Sequence, residues 1–578
     1  LSLTPQLATA KERRLFTATL ENGLNVIIEQ DDRAPVVALQ MWVKVGSGDE
    51  SDSEAGLSHV FEHMLFKGTA TRGVGEIAKE VDSAGGYINA YTSYDQTVYH
   101  LTVASRYFPL GLDLLSDAII NSSFDPDELS KELQVVLEEI RRGEDSPSRK
   151  LFSTLMDSAF TEHTYRRPVI GSVKTVESFT RKDILTFFER FYVPNNMTLV
   201  VVGDVDAESA LTLIQRAFKD FKERPDPQII RPVEPEQIKT RVRILEQPIA
   251  QSRLSLGFHI TALKDEDTYA LDMLSIILGQ GKSSRLYKRL KIELEQVHSI
   301  HASSLTPKDP GLFIINALID AEKTKLTATE ILNTVAELSD AGPTPNEMKR
   351  ALLSLESDFI FERETMEGKA SQLGYYDTIS NSLDFEDKYI RGIRSVTPAD
   401  IKRVIEKYLY LDNMTAVLLL NTDKSSVIDT DSLSASLKAT RLERRSKVTD
   451  NEESEEAELV TLDSGIRLIL KKQSSNPLVA FYATFPGGLR DESKENNGIG
   501  YFTASMLSRG TKRWNRVELS ELTESMAAGV GAFSGRNTTG IQGKFLSKDF
   551  DIGLDIITEM LLRHTLPADE IKKLKGDV

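Results

Sequence analysis

The chain has 578 residues, of which 40% are hydrophobic and 27% are charged, and its formal net charge is −17. This composition is typical of a globular protein of several domains, about four on a length prior. The excess of carboxylates excludes a general nucleic-acid binder; a solvated acidic surface and a preference for basic peptides both remain open. The lack of cysteine excludes disulfides and thiolate ligands, so only His, Asp and Glu remain for a metal.

Strands are predicted at Gly23 to Glu29 and Val36 to Val45, and the stretch that follows them is predicted to be a helix. This helix carries the order His59-Val-Phe-Glu62-His63. Histidines four residues apart share a helix face, so their neutral imidazoles can bind one zinc ion, with the glutamate beside the water that the ion polarises. The order His-x-x-Glu-His is the inverzincin signature. On these five residues alone, a pair of ordinary surface or core histidines remains the alternative.

The third metal ligand is predicted on a later helix. After a strand or hairpin at Tyr87 to Val103, a helix is predicted at Asp127 to Arg142. Glu132 and Glu139 are two turns apart on it and point the same way, whereas Glu138 is rotated off their face. A catalytic zinc site needs three protein ligands and an open position, so Glu139 is the predicted third ligand. Glu132 is predicted to orient a ligand histidine by accepting its second ring N–H.

These features resemble the pitrilysin or insulinase type of zinc metallopeptidase, the M16 family. The resemblance rests on the His-x-x-Glu-His helix, on Glu139, which follows His63 by 76 positions, and on Gly86 to Tyr99, whose edge strand holds the substrate in that family. It implies one zinc ion per chain, held by His59, His63 and Glu139, with Glu62 as the catalytic base. It also implies that the substrate lies along four residues of the strand, Asn89, Ala90, Tyr91 and Thr92. Two bowl-like halves would enclose a chamber that admits unstructured peptides.

A helix at Arg181 to Tyr192 and a strand at Met197 to Val202 follow in the first domain. Five residues around them recur 217 positions later, at Thr397, Asp400, Asn413, Met414 and Thr415. A constant offset over two elements marks a duplicated unit. The predicted class is therefore α+β, with repeated αβ-sandwich domains whose helices pack on one face of a mixed sheet. The catalytic domain is predicted at 1–230, and an inactive second domain at 237–423.

A longer repeat has an offset of 442 positions. Seven residues of the first domain recur without a gap, at Gly465, Pro477, Gly488, Gly498, Gly510, Thr511 and Asp569. Residues 458–578 are therefore predicted to be an incomplete third domain, in which Tyr501, Ala504 and Ser505 stand at the positions of the zinc motif. The repeat predicts a natural chain of about 870 residues, and self-association of the incomplete second half is expected. The charged, Ser-rich residues 424–457 are predicted to be a linker.

The predicted function is a zinc metalloendopeptidase that cuts unstructured peptides inside an enclosed chamber. Its predicted partner is the peptide substrate, a homo-oligomer remains open, and no membrane span is predicted because no apolar run reaches about eighteen residues. The alternative is a non-catalytic peptide-binding or scaffold partner of an M16-type assembly. A scaffold would not need the zinc and base residues, all of which the first half retains. The start at Leu1 predicts a removed signal peptide and a bacterial periplasmic or other extracytoplasmic location, with the cytoplasm as the alternative.

Overall fold

The structure is a computed structural model, and it describes residues 14–227, 229–440, 458–462, 464–470, 478–493, 496–526 and 528–577. The described residues fall into two compact units, within Leu1–Val448 and within Thr449–Val578. The first unit contains two large sheets, each with its own layer of helices. Among the described residues, every helix is too short or too polar to span a bilayer.

The first sheet and its helices come from residues 14–217. Its strands are β1 (Arg14–Thr19), β2 (Asn25–Gln30), β3 (Val36–Val43), β4 (Tyr87–Thr92), β5 (Thr97–Ala104) and β6 (Met197–Gly203). The helices are α1 (Leu57–Met64), α2 (Glu76–Ser83), α3 (Phe108–Asn121), α4 (Pro126–Asp145), α5 (Pro147–Ala159), α6 (Val173–Val176), α7 (Arg181–Phe191) and α8 (Ala207–Ala217). The strand order is β1-β2-β6-β3-β5-β4, with β2 and β6 parallel and the other neighbours antiparallel. Strand β4 therefore lies at an edge of the sheet.

Both faces of the first sheet are buried, because side chains alternate between the faces along each strand. On β3 the side chains of Val37, Leu39, Met41 and Val43 join the core shared with α1, α3, α4, α7 and α8. Ala38 and Trp42 belong to a second core on the opposite face. The apolar run predicted as a strand at Val36 to Val45 is explained by this double burial.

The second sheet has the same topology as the first. Its strands are β7 (Arg241–Gln247), β8 (Ser252–His259), β9 (Val297–Leu305), β10 (Leu312–Ile319) and β11 (Met414–Asn421). The helices are α9 (Asp267–Gly279), α10 (Thr324–Ala341), α11 (Pro345–Glu362), α12 (Met366–Tyr375), α13 (Phe385–Ser395), α14 (Pro398–Tyr408) and α15 (Thr430–Lys438). The order β7-β11-β8-β10-β9 matches β2-β6-β3-β5-β4 strand for strand, including the parallel pair β7 and β11. Helix α14 and strand β11 begin 217 positions after α7 and β6. The predicted α+β class with mixed sheets is confirmed.

On each of the two sheets, the face opposite the sheet's own helix layer is covered by one helix. That helix comes from the part of the first unit that contains the other sheet. Helix α5 packs on β11 through a core that includes Leu151, Leu155, Val417 and Leu419. Helix α12 packs on the first sheet through a core that includes Trp42, Met366, Ala370 and Leu373. A Cβ atom on Gly374 would lie 2.1 Å from the indole of Trp42, so only glycine fits in this contact. Separating the two halves would expose apolar surface on both sheets, which opposes separation.

The prediction of a linker at 424–457 is wrong for its first part, which contains a helix. Helix α15 occupies 430–438, and its side chains Leu433 and Leu437 are fully buried against the second sheet and α10. Asp429 caps this helix by accepting a hydrogen bond from the backbone N–H of Ser432 over 2.7 Å. Two leucines four residues apart and an N-terminal cap outweigh the charged composition on which the linker prediction was based. Residues 441–457 lie outside the described residues.

The second unit repeats part of the first sheet. Its strands are β12 (Glu458–Thr461), β13 (Arg467–Leu470), β14 (Leu478–Pro486), β15 (Gly529–Ser534) and β16 (Thr538–Leu546). Its helices are α16 (Ile499–Met506), α17 (Arg516–Ser525), α18 (Phe550–Leu562) and α19 (Ala568–Asp577). The order β14-β16-β15 matches β3-β5-β4, and α16, β15 and α18 begin 442 positions after α1, β4 and α3.

Candidate active site

Helix α1 is short and is stabilised by contacts with residues outside the helix. Its N-cap Gly56 has a φ of +98°, a left-handed conformation that glycine adopts without strain. The buried carboxylate of Glu50 accepts hydrogen bonds from the backbone N–H groups of Gly56 and Ser58, over 2.8 and 2.6 Å. An isolated helix of this length is unstable in water, so this cap and the burial of Phe61 between aromatic rings supply its stability. Burial raises the pKa of Glu50 to about 8.

The side chains of His59, His63 and Glu139 converge between α1 and α4. The Nε2 atom of each histidine lies 3.7 Å from Oε2 of Glu139, and the three ligand atoms all lie within 4.8 Å of one another. Four tetrahedral ligands at zinc–nitrogen distances of 2.0–2.1 Å are about 3.4 Å apart, so this donor set fits a zinc ion. It is the only such group of His, Asp and Glu residues that the described part of the chain contains.

The surroundings keep His59 neutral and orient the ring of His63. Burial, together with the neighbouring His63, lowers the pKa of His59 to about 4, so His59 is uncharged near pH 7. Nδ1 of His63 lies 3.1 Å from Oε2 of Glu132, whose other oxygen accepts a hydrogen bond from Lys67 over 2.5 Å. A carboxylate that accepts the Nδ1 proton leaves the Nε2 lone pair of His63 free to bind a metal. Glu132 therefore contacts His63 on the Nδ1 side of the ring.

Glu62 lies beside this group without belonging to it. Its Oε2 accepts a hydrogen bond from the hydroxyl of Thr92 on the edge strand β4, over 2.6 Å. Burial raises the pKa of Glu62, and the nearby carboxylate of Glu139 acts in the same direction, whereas the bond from Thr92 opposes both. A raised pKa brings a carboxylate closer to the range in which it can both accept and return a proton near neutral pH.

The four residues predicted to bind substrate lie on β4, next to this site. No strand among the described residues pairs with the outer edge of β4. Side chains on a strand alternate, so Ala90 and Thr92 face the side of Glu62, whereas Asn89 and Tyr91 share the opposite face with Tyr87. The backbone of β4 can therefore pair with an extended peptide, and the two faces can contact alternate side chains of that peptide.

A buried arginine connects the loop before α1 with the turn after β4. This contact is not predicted from the sequence. Arg231 follows α8 in the connection to the second sheet, and its side chain is 8% exposed. Its guanidinium lies 2.6 Å from Asp49, 2.6 Å from Asp95 and 2.7 Å from Asp309, which precedes β10. Asp49 adjoins the residue that caps α1, and Asp95 lies in the turn that follows β4. The signal in the sequence is weak, because an arginine between isoleucines and a proline is common in a surface connection.

The second unit retains the helix cap but lacks the metal group. Glu492 accepts hydrogen bonds from the backbone N–H groups of Gly498 and Gly500, over 2.6 and 2.9 Å, as Glu50 does for α1. The positions of His59, Glu62 and His63 are taken by Tyr501, Ala504 and Ser505. The same cap therefore occurs on a helix that lacks the zinc motif.

Comparisons with known proteins agree with this architecture. The family model described as insulinase (peptidase family M16) matches residues 25–173 and 467–578, and the model described as peptidase M16 inactive domain matches residues 178–355. An uncharacterized zinc protease of Rickettsia felis is 32% identical over 356 residues, which cover 61% of this chain and 85% of the relative. An uncharacterized zinc protease of Mycobacterium tuberculosis is 30% identical over 433 residues, which cover 73% of this chain and 96% of the relative.

Solved structures show the same fold. The crystal structure of a protease from Helicobacter pylori has a TM-score of 0.67 and 28% identity, over 70% of this chain and 99% of that one. The structure of the periplasmic protease PqqL from Escherichia coli has a TM-score of 0.64 and 19% identity, over 99% of this chain and 68% of that one. The strand order and the paired sheets thus define the fold as that of the M16-like peptidases. The chain belongs to the M16 family of peptidases.

Proposed function

We propose that this M16 protein is an active zinc endopeptidase of the inverzincin type, which hydrolyses unstructured peptides. The observation that carries the proposal is the convergence of His59, His63 and Glu139 within 4.8 Å of one another, with Glu62 beside them and outside the ligand set. Two imidazoles and one carboxylate are a donor set of catalytic zinc sites, which keep an open position for water. One zinc ion per chain is therefore proposed.

When bound, zinc would lower the pKa of a coordinated water toward 7 and polarise the scissile carbonyl. The residues of the chain would then move the proton. The hydroxyl of Thr92 holds Oε2 of Glu62, which leaves Oε1 of Glu62 to accept the proton of the attacking water. The same oxygen would return it to the leaving amine of the peptide. Glu132 would keep the Nδ1 proton of His63 in place throughout.

The substrate is proposed to bind as an added strand along the free edge of β4, at residues 89–92. Main-chain hydrogen bonds supply affinity in this mode, and only a chain that is extended and unpaired can make them. This requirement favours unstructured peptides over folded proteins. An enclosed chamber, which the M16 resemblance implies, would act in the same direction. An extracytoplasmic location is proposed as well, and the lack of cysteine is compatible with a bacterial periplasm without requiring it.

A second candidate function is a non-catalytic peptide-binding or scaffold partner of an M16-type assembly. The observations that favour it are the M16 inactive domain matched at 178–355 and the repeat without metal residues in the second unit. Both features lie outside the region of α1 and α4, where all four zinc and base residues are present.

A digestion experiment distinguishes the two functions. The purified chain is incubated with a library of unstructured peptides and, separately, with a stably folded protein, each with and without a metal chelator. The enzyme is expected to cut the peptides only, and to lose this activity in the chelator. Absence of cleavage in the presence of zinc would favour the scaffold, and equal cutting of peptides and folded protein would contradict the proposed substrate class.

A further inference from the structure

The face of β4 that points away from Glu62 carries a group of side chains that the reaction does not use. Tyr87 and Tyr91 lie on this face of β4, and His100 lies between them on β5, opposite Asn89. The ring centroid of His100 is 5.9 Å from that of Tyr87 and 6.3 Å from that of Tyr91. Nδ1 of His100 lies 3.1 Å from Oε1 of Glu367, on α12. These four residues, Tyr87, Tyr91, His100 and Glu367, are here named the outer-face cluster.

Glu367 supplies the carboxylate of the outer-face cluster. Burial lowers the pKa of His100, although Glu367 acts in the opposite direction, so the imidazole is neutral near pH 7 and lies beside the carboxylate. The side chain of Glu367 is 43% exposed, and no lysine or arginine of the described residues forms an ion pair with it. The cluster therefore combines an accessible carboxylate with two exposed tyrosine rings, whose faces attract cations.

We propose that the outer-face cluster is a subsite for a lysine or arginine side chain of the peptide substrate. This inference rests on the proposed function, because it requires a peptide paired with the free edge of β4. Every second side chain of such a peptide lies on the same face as Tyr87 and Tyr91. Substrates would therefore be peptides that carry a basic residue at one of these alternate positions.

The distance across the sheet selects for long side chains. Neighbouring strands are about 4.8 Å apart, so a peptide strand beside β4 lies about 10 Å from β5, where His100 lies beside Glu367. Lysine and arginine are the cationic side chains long enough to cross β4 toward this carboxylate. Their aliphatic stems would lie along the rings of Tyr87 and Tyr91, an arrangement that amphipathic side chains favour.

The repeat in the second unit keeps only part of this cluster. The positions of Tyr87 and His100 are occupied by Gly529 and Gln542, on β15 and β16, whereas Phe533 keeps an aromatic ring at the position of Tyr91. The ring at position 91 is thus common to both copies, whereas Tyr87 and His100 occur only in the copy that carries the zinc residues.

A lysine scan tests the subsite. A peptide made of neutral residues receives a single lysine at each position in turn, and kcat/KM is measured beside the matching glutamine peptides, with the cleaved bond identified by mass spectrometry. The wild-type chain is expected to prefer lysine by about tenfold at alternate positions relative to the cleaved bond. The ratio of kcat/KM for lysine peptides to that for glutamine peptides is expected to fall to near one in Glu367→Gln. In Glu367→Lys it is expected to fall below one, because the introduced cation repels lysine. Glu208→Gln, at an exposed position on α8, is the matched control and should keep the ratio.

Binding separates this inference from the proposed function. Affinities of the same peptides for Glu62→Gln are measured by fluorescence anisotropy, and circular dichroism checks that each variant is folded. Hydrolysis without a lysine preference, or a preference that Glu367→Gln retains, would overturn the subsite. A lysine preference in binding without hydrolysis by the wild-type chain would overturn the enzymatic function and leave the subsite standing.

Discussion

The hydroxyl of Thr92 donates a hydrogen bond to Oε2 of Glu62 over 2.6 Å. The edge strand and the motif helix, which are separate elements in the sequence, are thus joined at the residue proposed as the base. A peptide paired with β4 would lie directly beside that base. In the proposed mechanism, substrate position and proton transfer therefore depend on the same hydrogen bond.

Replacing Thr92 by valine removes this hydrogen bond at nearly constant volume. Glu62 then loses its fixed orientation, and kcat is expected to fall about tenfold or more, because hydrogen bonds to charged groups are among the stronger ones. Thr92→Ser keeps the hydroxyl, as does Ser534 at the matching position of the second unit, and should keep most of the rate. Steady-state kinetics with a fluorogenic peptide measures both. A Thr92→Val variant with the kcat of the wild type would show that the bond is unimportant for the base.

Glu132→Gln is expected to weaken zinc binding while leaving all three ligands present. Glutamine carries no charge to stabilise the Nδ1 proton of His63, and loss of such a partner typically costs 10–100-fold in metal affinity. Competition with a chromophoric chelator measures the affinity. Glu138→Gln is the matched control, since Glu138 is exposed on the same helix and pairs with Arg141. Equal affinities of the two variants would contradict the role of Glu132.

Arg231→Met is expected to destabilise the first unit strongly. It leaves Asp49 and Asp95 as buried carboxylates without their cation, and removing one partner from a buried ion pair costs about 3–5 kcal/mol. Arg243→Met, which breaks the exposed pair with Asp157, should cost less than about 1 kcal/mol. Urea unfolding gives both free energies. A cost for Arg231→Met as small as that of the control would mean that the arginine does not hold the two loops of the site.

Much of the site can be predicted from the sequence because its key spacings are local. His59, Glu62 and His63 lie within five positions, and Glu132 and Glu139 are two turns apart, so helical geometry alone orients them. The contacts of Arg231 cannot be predicted this way, since its partner Asp95 is 136 positions away. The cap from Glu50 requires a left-handed turn at Gly56 that the sequence does not specify uniquely.

In the fold, too, local features can be predicted from the sequence and long-range contacts cannot. Constant offsets of 217 and 442 positions predict that strands and helices recur, since a duplicated sequence repeats its local structure. The positions of α5 and α12 depend on which surface of a distant sheet is apolar. Trp42 and Gly374 fit together only in three dimensions, and neither residue identifies the other in the sequence.

The buried Glu50 predicts a pH dependence of stability. Its pKa is 4.5 in the unfolded chain and is raised to about 8 by burial, so the folded chain holds one more proton between these values. The contribution of Glu50 to the free energy of unfolding is therefore fully present below the unfolded pKa and is lost as the pH rises through about 8, a change on the order of a few kcal/mol. Urea unfolding of the wild type and of Glu50→Gln from about pH 5 to about pH 9 checks this, in zinc-containing buffer. As the pH rises, the free energy of unfolding of the wild type should fall relative to that of Glu50→Gln. A difference between the two free energies that stays constant with pH would contradict the prediction.

The most direct measurement is the zinc content of the purified chain, determined by mass spectrometry beside peptide hydrolysis for the wild type, His63→Ala and Glu62→Gln. The expected result is about one zinc per chain in the wild type and in Glu62→Gln, and little zinc in His63→Ala, because Glu62 lies outside the ligand set and His63 within it. Hydrolysis is expected only in the wild type, with a loss of about a hundredfold or more in Glu62→Gln. Full zinc occupancy in His63→Ala, or wild-type hydrolysis by Glu62→Gln, would contradict the assignment of these residues.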